Sequence, residues 1–315
     1  MGPGELLRQS LLRLSASDAV AHTIESAPVS RSVVKRYVAG TSPDDAVDAV
    51  ATLRQTNRFA TVDYLGEDTT DQAQARHTAD AYVTLLRLLA DQQLSQEGKG
   101  EVSLKLTALG LELTDGHAVA LYHARRICQA AANAGTTVTL DMEDHTTTDA
   151  TLEILNNLRQ DFPWVGVAIQ AYLHRSEADC LDLATAGSRV RLCKGAYAQP
   201  ESVAYQHKHD VDLSYVRCLK TLMAGRGYPM IASHDPRVIE ITAALAAHHE
   251  RSADSFEFQM LFGIRADEQR RLADRGHQLR VYVPYGDQWY GYLMRRMAER
   301  PANTMFFVRS LLTNG

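Results

Sequence analysis

Residues 280–300 read RVYVPYGDQWYGYLMRRMAER, a strand-like run of β-branched and aromatic residues that turns at Gly286 into a stretch with helical periodicity. The same pairing of a short apolar run with a longer helical stretch recurs upstream. From residue 59 the runs are FATVDYLG, EVSLKLTALG, TTVTLDME, VGVAIQAY, SRVRLCKGAY, YPMIASHD, FEFQMLFG and LRVYVPYG, eight in all. Helix punctuation lies between them. Thr114-Asp115 opens one helix and Gly135 follows its end, Ser176 opens another, and Asp235-Pro236 supplies an N-cap and a first-turn proline. Eight βα units in about 240 residues match an α/β fold of the (βα)8 TIM-like type. Alternation also fits an open doubly wound sheet, but no G-x-G-x-x-G follows the early strands, so the barrel is the expected architecture. Residues 1–58 read as an N-terminal helical segment and 59–315 as the barrel. In the former, Ser42-Pro43-Asp44-Asp45 places an N-cap, a first-turn proline and two acids where a helix dipole favours them.

The 315-residue chain, 45% hydrophobic and 23% charged, can bury a large core. Its net charge of −5, without Lys/Arg clusters interleaved with aromatics, argues against nucleic acid as a partner. The four cysteines, Cys128, Cys180, Cys193 and Cys218, show no C-x-x-C spacing and fit a reducing compartment, with Cys193 expected to be a buried strand residue. No apolar run approaches the roughly 20 residues of a membrane span, and MGPGELLRQSLLRL lacks a secretory apolar core. The expected location is cytoplasmic, compatible with peripheral contact at the inner membrane face.

In a barrel, side chains at the C-terminal strand ends meet around one mouth. The runs place there Lys105, then Asp141, Glu143 and Asp144, then Gln170, then Arg191, Lys194 and Tyr197, then His234, Glu257, Gln259 and Tyr282. The cations, with Arg295 and Arg296, suit an anionic ligand and a redox cofactor whose reduced form carries negative charge. On the last helix Tyr292, Arg295, Arg296 and Glu299 fall within roughly 100° of circumference, opposite Leu293, Met294, Met297 and Ala298. Two adjacent arginines can grip a carboxylate, and Glu299 can orient either. The pattern equally fits a solvated amphipathic face. Lys105, for its part, has a neutralising partner available in Asp141.

Other chemistries fit the same residues. Lys105 or Lys194, desolvated among cations, would serve a Schiff-base lyase. Asp141, Glu143 and His234 would serve a metal-dependent hydrolase, although that set is short of the usual metal ligands, so no metal is assigned. A barrel of this kind can also bind ligands without catalysis. The pairs His207/His209 and His248/His249 are expected at the surface.

The segments RLCKGAY (191–197), ASHD (232–235), FEFQMLFG (256–263), and YVPYG (282–286) followed by YLMRRMAER (292–300) resemble the proline dehydrogenase family of flavoenzymes, with YLGE (64–67) also similar. The resemblance spans roughly residues 100–310 with the motifs in order. It implies a distorted (βα)8 barrel with FAD at its mouth and the last helix over the barrel. By similarity, Arg295 and Arg296 pair with the carboxylate of L-proline, Lys105 is a third cation there, and Tyr292 and Glu299 share the inward face. Asp141 and Tyr282 match residues that hydrogen-bond near the substrate, Leu261 and Tyr292 pack around its ring, and Tyr197 forms part of its wall. Gln170, Arg191, Lys194 and His234 match cofactor contacts, with Arg191 near the hydride-accepting edge.

The implied reaction is oxidation of L-proline to Δ1-pyrroline-5-carboxylate. The flavin would be reoxidised by a quinone, and the product would pass to a separate pyrroline-5-carboxylate dehydrogenase, since the chain is short for a bifunctional enzyme. No side chain stands out as a general base, so proline is expected to react with a neutral amine, a state that nearby cations favour. Three positions depart from the family pattern: Cys193 stands where valine is common, Ala198 where an aromatic is common, and Asp235 where asparagine is often found. None removes a charge-bearing contact. Tyr292 stands where the hydroxyproline-preferring branch carries a smaller polar residue, which implies a preference for proline.

Overall fold

In the computed structural model the eight runs form eight parallel strands: β1 (Phe59–Tyr64), β2 (Gly100–Leu104), β3 (Val138–Leu140), β4 (Gly166–Gln170), β5 (Arg189–Cys193), β6 (Tyr228–Ala232), β7 (Glu257–Leu261) and β8 (Leu279–Tyr285). Neighbours in sequence pair, and β8 closes the barrel against β1 from Phe59↔Arg280 to Tyr64↔Tyr285. The structure describes Val34, residues 36–66 and residues 69–299, with side chains described as far as Met294. The expected helices within residues 1–33 lie outside the described residues, as do Glu67 and the side chains of Arg295, Arg296 and Glu299.

The helices are α1 (Pro43–Arg54), α2 (Gln72–Asp91), α3 (Gly116–Asn133), α4 (Thr148–Arg159), α5 (Ser176–Leu183), α6 (Lys208–Ala224), α7 (Pro236–His248), α8 (Ala266–Asp274) and α9 (Trp289–Glu299). Their starts follow from side-chain chemistry. Ser42 and Asp45 form a reciprocal capping box ahead of α1, Asp71 accepts from two amides of α2, and Asp235 caps α7 with Pro236 in the first turn. Two expected caps differ. Asp115 precedes α3 in a left-handed conformation (φ 57°), from which its carboxylate makes no cap bond, because capping needs an extended backbone. Ser176 lies inside α5, and its hydroxyl donates to the Gln170 carbonyl at 2.5 Å, tying the end of β4 instead of the helix start.

Period-two alternation divides each strand between two environments. Val62, Val102, Leu104, Leu140, Val167, Ile169, Val190, Leu192, Phe258, Met260, Val281 and Val283 join the core beneath the helices, with Tyr82, Leu85, Leu86 and Ile127. The intervening residues bond one another across the barrel axis. The interior that such barrels fill with branched apolar side chains is here largely polar and charged.

Its lower half is an ion network. Arg280 donates to both oxygens of Glu257 at 2.7 and 3.0 Å, and Arg189 Nη2 reaches Glu101 at 2.7 Å. Arg280 Nε lies 3.6 Å from Glu101 Oε1, and Glu101 and Glu257 are fully buried. Burial alone would raise the Glu101 pKa, but Arg280 and Arg189 outweigh it and hold the carboxyl at about 2. Because this folded-state pKa lies below the ordinary 4.5, the carboxylate stabilises the fold above that value. Its contribution is lost as pH falls from 4.5 towards about 2. Glu101→Gln is therefore expected to cost about 3 kcal/mol at pH 7 and to flatten the acid limb of stability in urea titrations. A wild-type acid limb in the variant would contradict this. Beside the network, at the N-terminal end of the barrel, a cavity of about 380 Å³ is walled by Phe59, Trp164 and Tyr228.

The last helix lies over the opposite end. Tyr290, Tyr292, Leu293 and Met294 of α9 are buried with Tyr37, Val38 and Leu65, flanked by Ile264 and Tyr282. Leu65 and Ile264 lie just past the C-terminal ends of β1 and β7, so α9 covers the mouth as the family resemblance implied. Alongside β8 and β1, where an eighth flanking helix would pack, lies α1 instead, through Ala46, Val47, Val50 and Leu53. The turn into α9 needs Gly286: its φ is +125°, and a Cβ there would sit 3.3 Å from the Leu65 amide nitrogen.

Candidate active site at the barrel mouth

The upper half of the barrel interior is built on Arg191. Its Nε donates to Gln259 Oε1 at 2.6 Å, and its Nη1 donates to Ser103 Oγ at 2.9 Å and also to Asp141 Oδ1. The guanidinium lies 5.4 Å from the centre of the Tyr282 ring, and the Tyr282 hydroxyl donates to the other Asp141 oxygen at 2.7 Å. Burial opposes the charge on Arg191, yet the Asp141 carboxylate more than compensates and the pKa stands above its ordinary value. Burial and Asp141 likewise push the Tyr282 phenol far up, so it remains a donor. One atom of this guanidinium, the buried Nη2, has no hydrogen-bond partner among the described residues. The same holds for Gln170 Oε1, whose Nε2 donates to the Met142 carbonyl at 3.1 Å.

Lys105, just past β2, is paired differently from the expectation. Its ammonium lies 2.5 Å from Asp63 Oδ2 of β1, not on Asp141, which belongs to Arg191. Register explains the exchange: Asp63 pairs with Ser103 across β1 and β2, which brings its side chain beside the Lys105 stem. Asp63 is fully buried, and burial raises its pKa against the opposing pull of Lys105. The Tyr82 hydroxyl, 3.2 Å away, adds a further contact. Asp63 was not singled out in the sequence, although an acid alternating with apolar residues in FATVDYLG is the same signal that marks Asp141.

The remaining expected residues lie around this centre. His234 Nε2 accepts from the Leu261 amide at 3.0 Å, so the ring carries its proton on Nδ1, and the contact ties the end of β6 to the end of β7. Lys194 is half-buried beyond β5, 2.5 Å from Asp212 of α6 and 3.8 Å from Asp235. Asp235, where the family often has asparagine, thus both caps α7 and faces Lys194. Tyr197 and Leu261 are half-buried and Tyr292 is buried on α9. Gly195 shapes the Lys194–Tyr197 loop at φ +112°, with the Tyr172 ring against it so closely that a Cβ would sit 2.3 Å from Cδ1. Cys193, the last residue of β5, is half-buried and not fully enclosed. Ala198 is exposed, and His207, His209 and His248 lie at the surface, with His249 half-exposed.

This geometry weighs on the competing chemistries. Three mouth cations, Lys105, Arg191 and Lys194, each have a carboxylate partner, so the mouth is nearer to neutral than its cations alone suggest. Each of the two lysines is engaged by a carboxylate at 2.5 Å, unlike the desolvated, cation-surrounded lysine of a Schiff-base site. The carboxylates proposed for a metal are engaged elsewhere. Asp141 is held by Arg191 and by the Tyr282 hydroxyl, and Glu143 accepts from the Thr107 amide at 3.1 Å and its hydroxyl at 2.5 Å.

Comparison with known proteins agrees with this architecture. The family model described as proline dehydrogenase matches residues 46–309. Proline dehydrogenase 1 of Bacillus subtilis (strain 168) is 39% identical over 278 residues, covering 88% of this chain and 90% of that protein. Proline dehydrogenase of Deinococcus radiodurans is 38% identical over 283 residues, covering 89% of this chain and 90% of that protein. Among solved structures, proline utilization A (PutA) from Bdellovibrio bacteriovorus inactivated by N-propargylglycine superposes with a TM-score of 0.80 at 27% identity, covering 86% of this chain. The chain spans 33% of that PutA chain. A family match over most of the chain, relatives of similar length and a shared barrel lead to one assignment: the chain belongs to the proline dehydrogenase family.

Proposed function

We propose that the protein oxidises L-proline to Δ1-pyrroline-5-carboxylate with FAD as hydride acceptor and passes the electrons to a quinone. The observation that carries the cofactor reading is Arg191. A guanidinium locked on two sides, with one buried Nη2 left over, is a preorganised donor awaiting a bound group. Gln170 Oε1 adds an unpartnered acceptor, and a flavin ring edge carries both acceptors and a donor that suit them. When bound, the flavin supplies two-electron chemistry by accepting hydride from the carbon next to the amine.

The chain's own residues bind and orient. Arg191, Lys194, Gln170 and His234 would hold the flavin side. Lys105, Arg295 and Arg296 would clamp the proline carboxylate, with Glu299 orienting the arginines. Asp141 would act through Tyr282, whose hydroxyl it holds, while Leu261, Tyr197 and Tyr292 would enclose the ring. Clamping the carboxylate turns hydride transfer into a nearly unimolecular step, and α9 over the mouth excludes water. Purified protein given proline and a soluble quinone should form a cyclic imine that o-aminobenzaldehyde traps. Substrate loss without that adduct would contradict the reaction, and product formation with NAD alone would contradict the quinone.

Tyr292 sets a second expectation. A buried phenol against the substrate ring would crowd an added hydroxyl, so kcat/KM should favour proline over trans-4-hydroxyproline by about tenfold or more. Comparable values for the two substrates in steady-state assays would remove Tyr292 from the ring pocket.

A further inference from the structure

The two halves of the barrel interior are joined through one side chain. Gln259 of β7 is buried, accepts from Arg191 Nε at 2.6 Å and donates its amide nitrogen to Glu257 Oε1 at 2.5 Å. Glu257 in turn holds Arg280 by two bonds, and Arg280 Nε lies 3.6 Å from Glu101. A carboxylate can only accept and a guanidinium can only donate, so the Gln259 amide has a single orientation that satisfies both. Its dipole is thereby aligned, with the oxygen turned towards Arg191. A buried, fully connected chain of this kind polarises each bond and strongly disfavours partial disruption.

We propose that Gln259 is a positioning residue that fixes the Arg191 guanidinium. Through it, the buried ion network at the base of the barrel helps set the electron affinity of the group bound at the mouth. The inference rests on the flavin reading above. Asp141 and Ser103 both hold Nη1, so among the described residues Gln259 is what restrains the Nε edge. Without it the guanidinium can pivot about Nη1, and Nη2, the atom left over for a ligand, loses its fixed direction. The Gln259 side chain bonds Arg191 and Glu257, neither of which is assigned to the substrate, so its loss should act on the flavin and not on proline affinity.

The test uses Gln259→Met, which keeps volume and removes both bonds, and Gln259→Glu, which keeps an acceptor near Arg191 but places a second carboxylate beside Glu257. In the flavin-loaded proteins the midpoint potential should fall in both variants. Affinity for sulfite, which adds to oxidised flavins as an anion and is favoured by nearby positive charge, should weaken about tenfold. The proline KM should stay within about twofold. A potential and sulfite affinity equal to wild type in either folded variant would overturn the inference, as would a rise in KM without a change in potential. If neither variant accumulates as folded flavoprotein, Gln259 is a folding residue and the inference fails. A colourless wild-type protein would instead refute the flavin reading, which separates the two outcomes.

Discussion

Arg191→Met is expected to destabilise the protein by about 3–5 kcal/mol and to abolish flavin reduction by proline in whatever folded protein remains. The stability loss comes from what stays behind. Asp141 would keep its place beside Tyr282 but lose its only ion-pair partner among the described residues, Gln259 and Ser103 would each lose a bond, and all three are buried. Removing one member of a buried pair costs more than the pair is worth, because the survivor is still desolvated. Arg191→Lys restores charge but not the fork that reaches three partners, so it should recover part of the stability and little of the turnover. Chemical unfolding and flavin content measured together separate the effects. A variant within about 1 kcal/mol of wild type that still reduces its flavin would show that Arg191 is peripheral.

The second large effect is expected at Arg296. If the adjacent arginines of α9 clamp the proline carboxylate, Arg296→Met removes a charge-assisted contact to an anion in a covered site. At about 2–3 kcal/mol this corresponds to a KM raised by roughly 30- to 150-fold. Flavin affinity should change little, because the cofactor contacts proposed above arise at the ends of β4, β5 and β6. Steady-state kinetics with proline and flavin-release titrations measure the two separately. Weakened flavin binding with an unchanged KM would assign the arginine to the cofactor.

The barrel was legible because its strands have short apolar runs and its helices carry capping chemistry such as Ser42-Pro43-Asp44-Asp45 and Asp235-Pro236. Strand ends were legible for the same reason: polar residues such as Asp141, Gln170 and Arg191 interrupt apolar runs. Pairing between them was not. Lys105 has two acids within reach of a closed barrel, and only the Asp63↔Ser103 register decides that Asp63 neutralises it while Asp141 serves Arg191. Lys194, read as a cofactor contact, has Asp212 of α6 as its nearest acid, a residue from a helix whose placement no local pattern reveals. The role of Gln259 is likewise a product of closure, since its two partners lie on its own strand and on β5.

Proline is expected to deliver two electrons to a flavin held at this mouth. Anaerobic titration of the purified protein with L-proline, followed by visible absorbance, reads this transfer. The protein should be yellow as isolated, and its flavin bands should bleach as proline is added without any acceptor, then return when a quinone is supplied. A yellow protein that proline leaves unbleached, or a colourless protein that still consumes proline, would rule out hydride transfer from proline to a bound flavin.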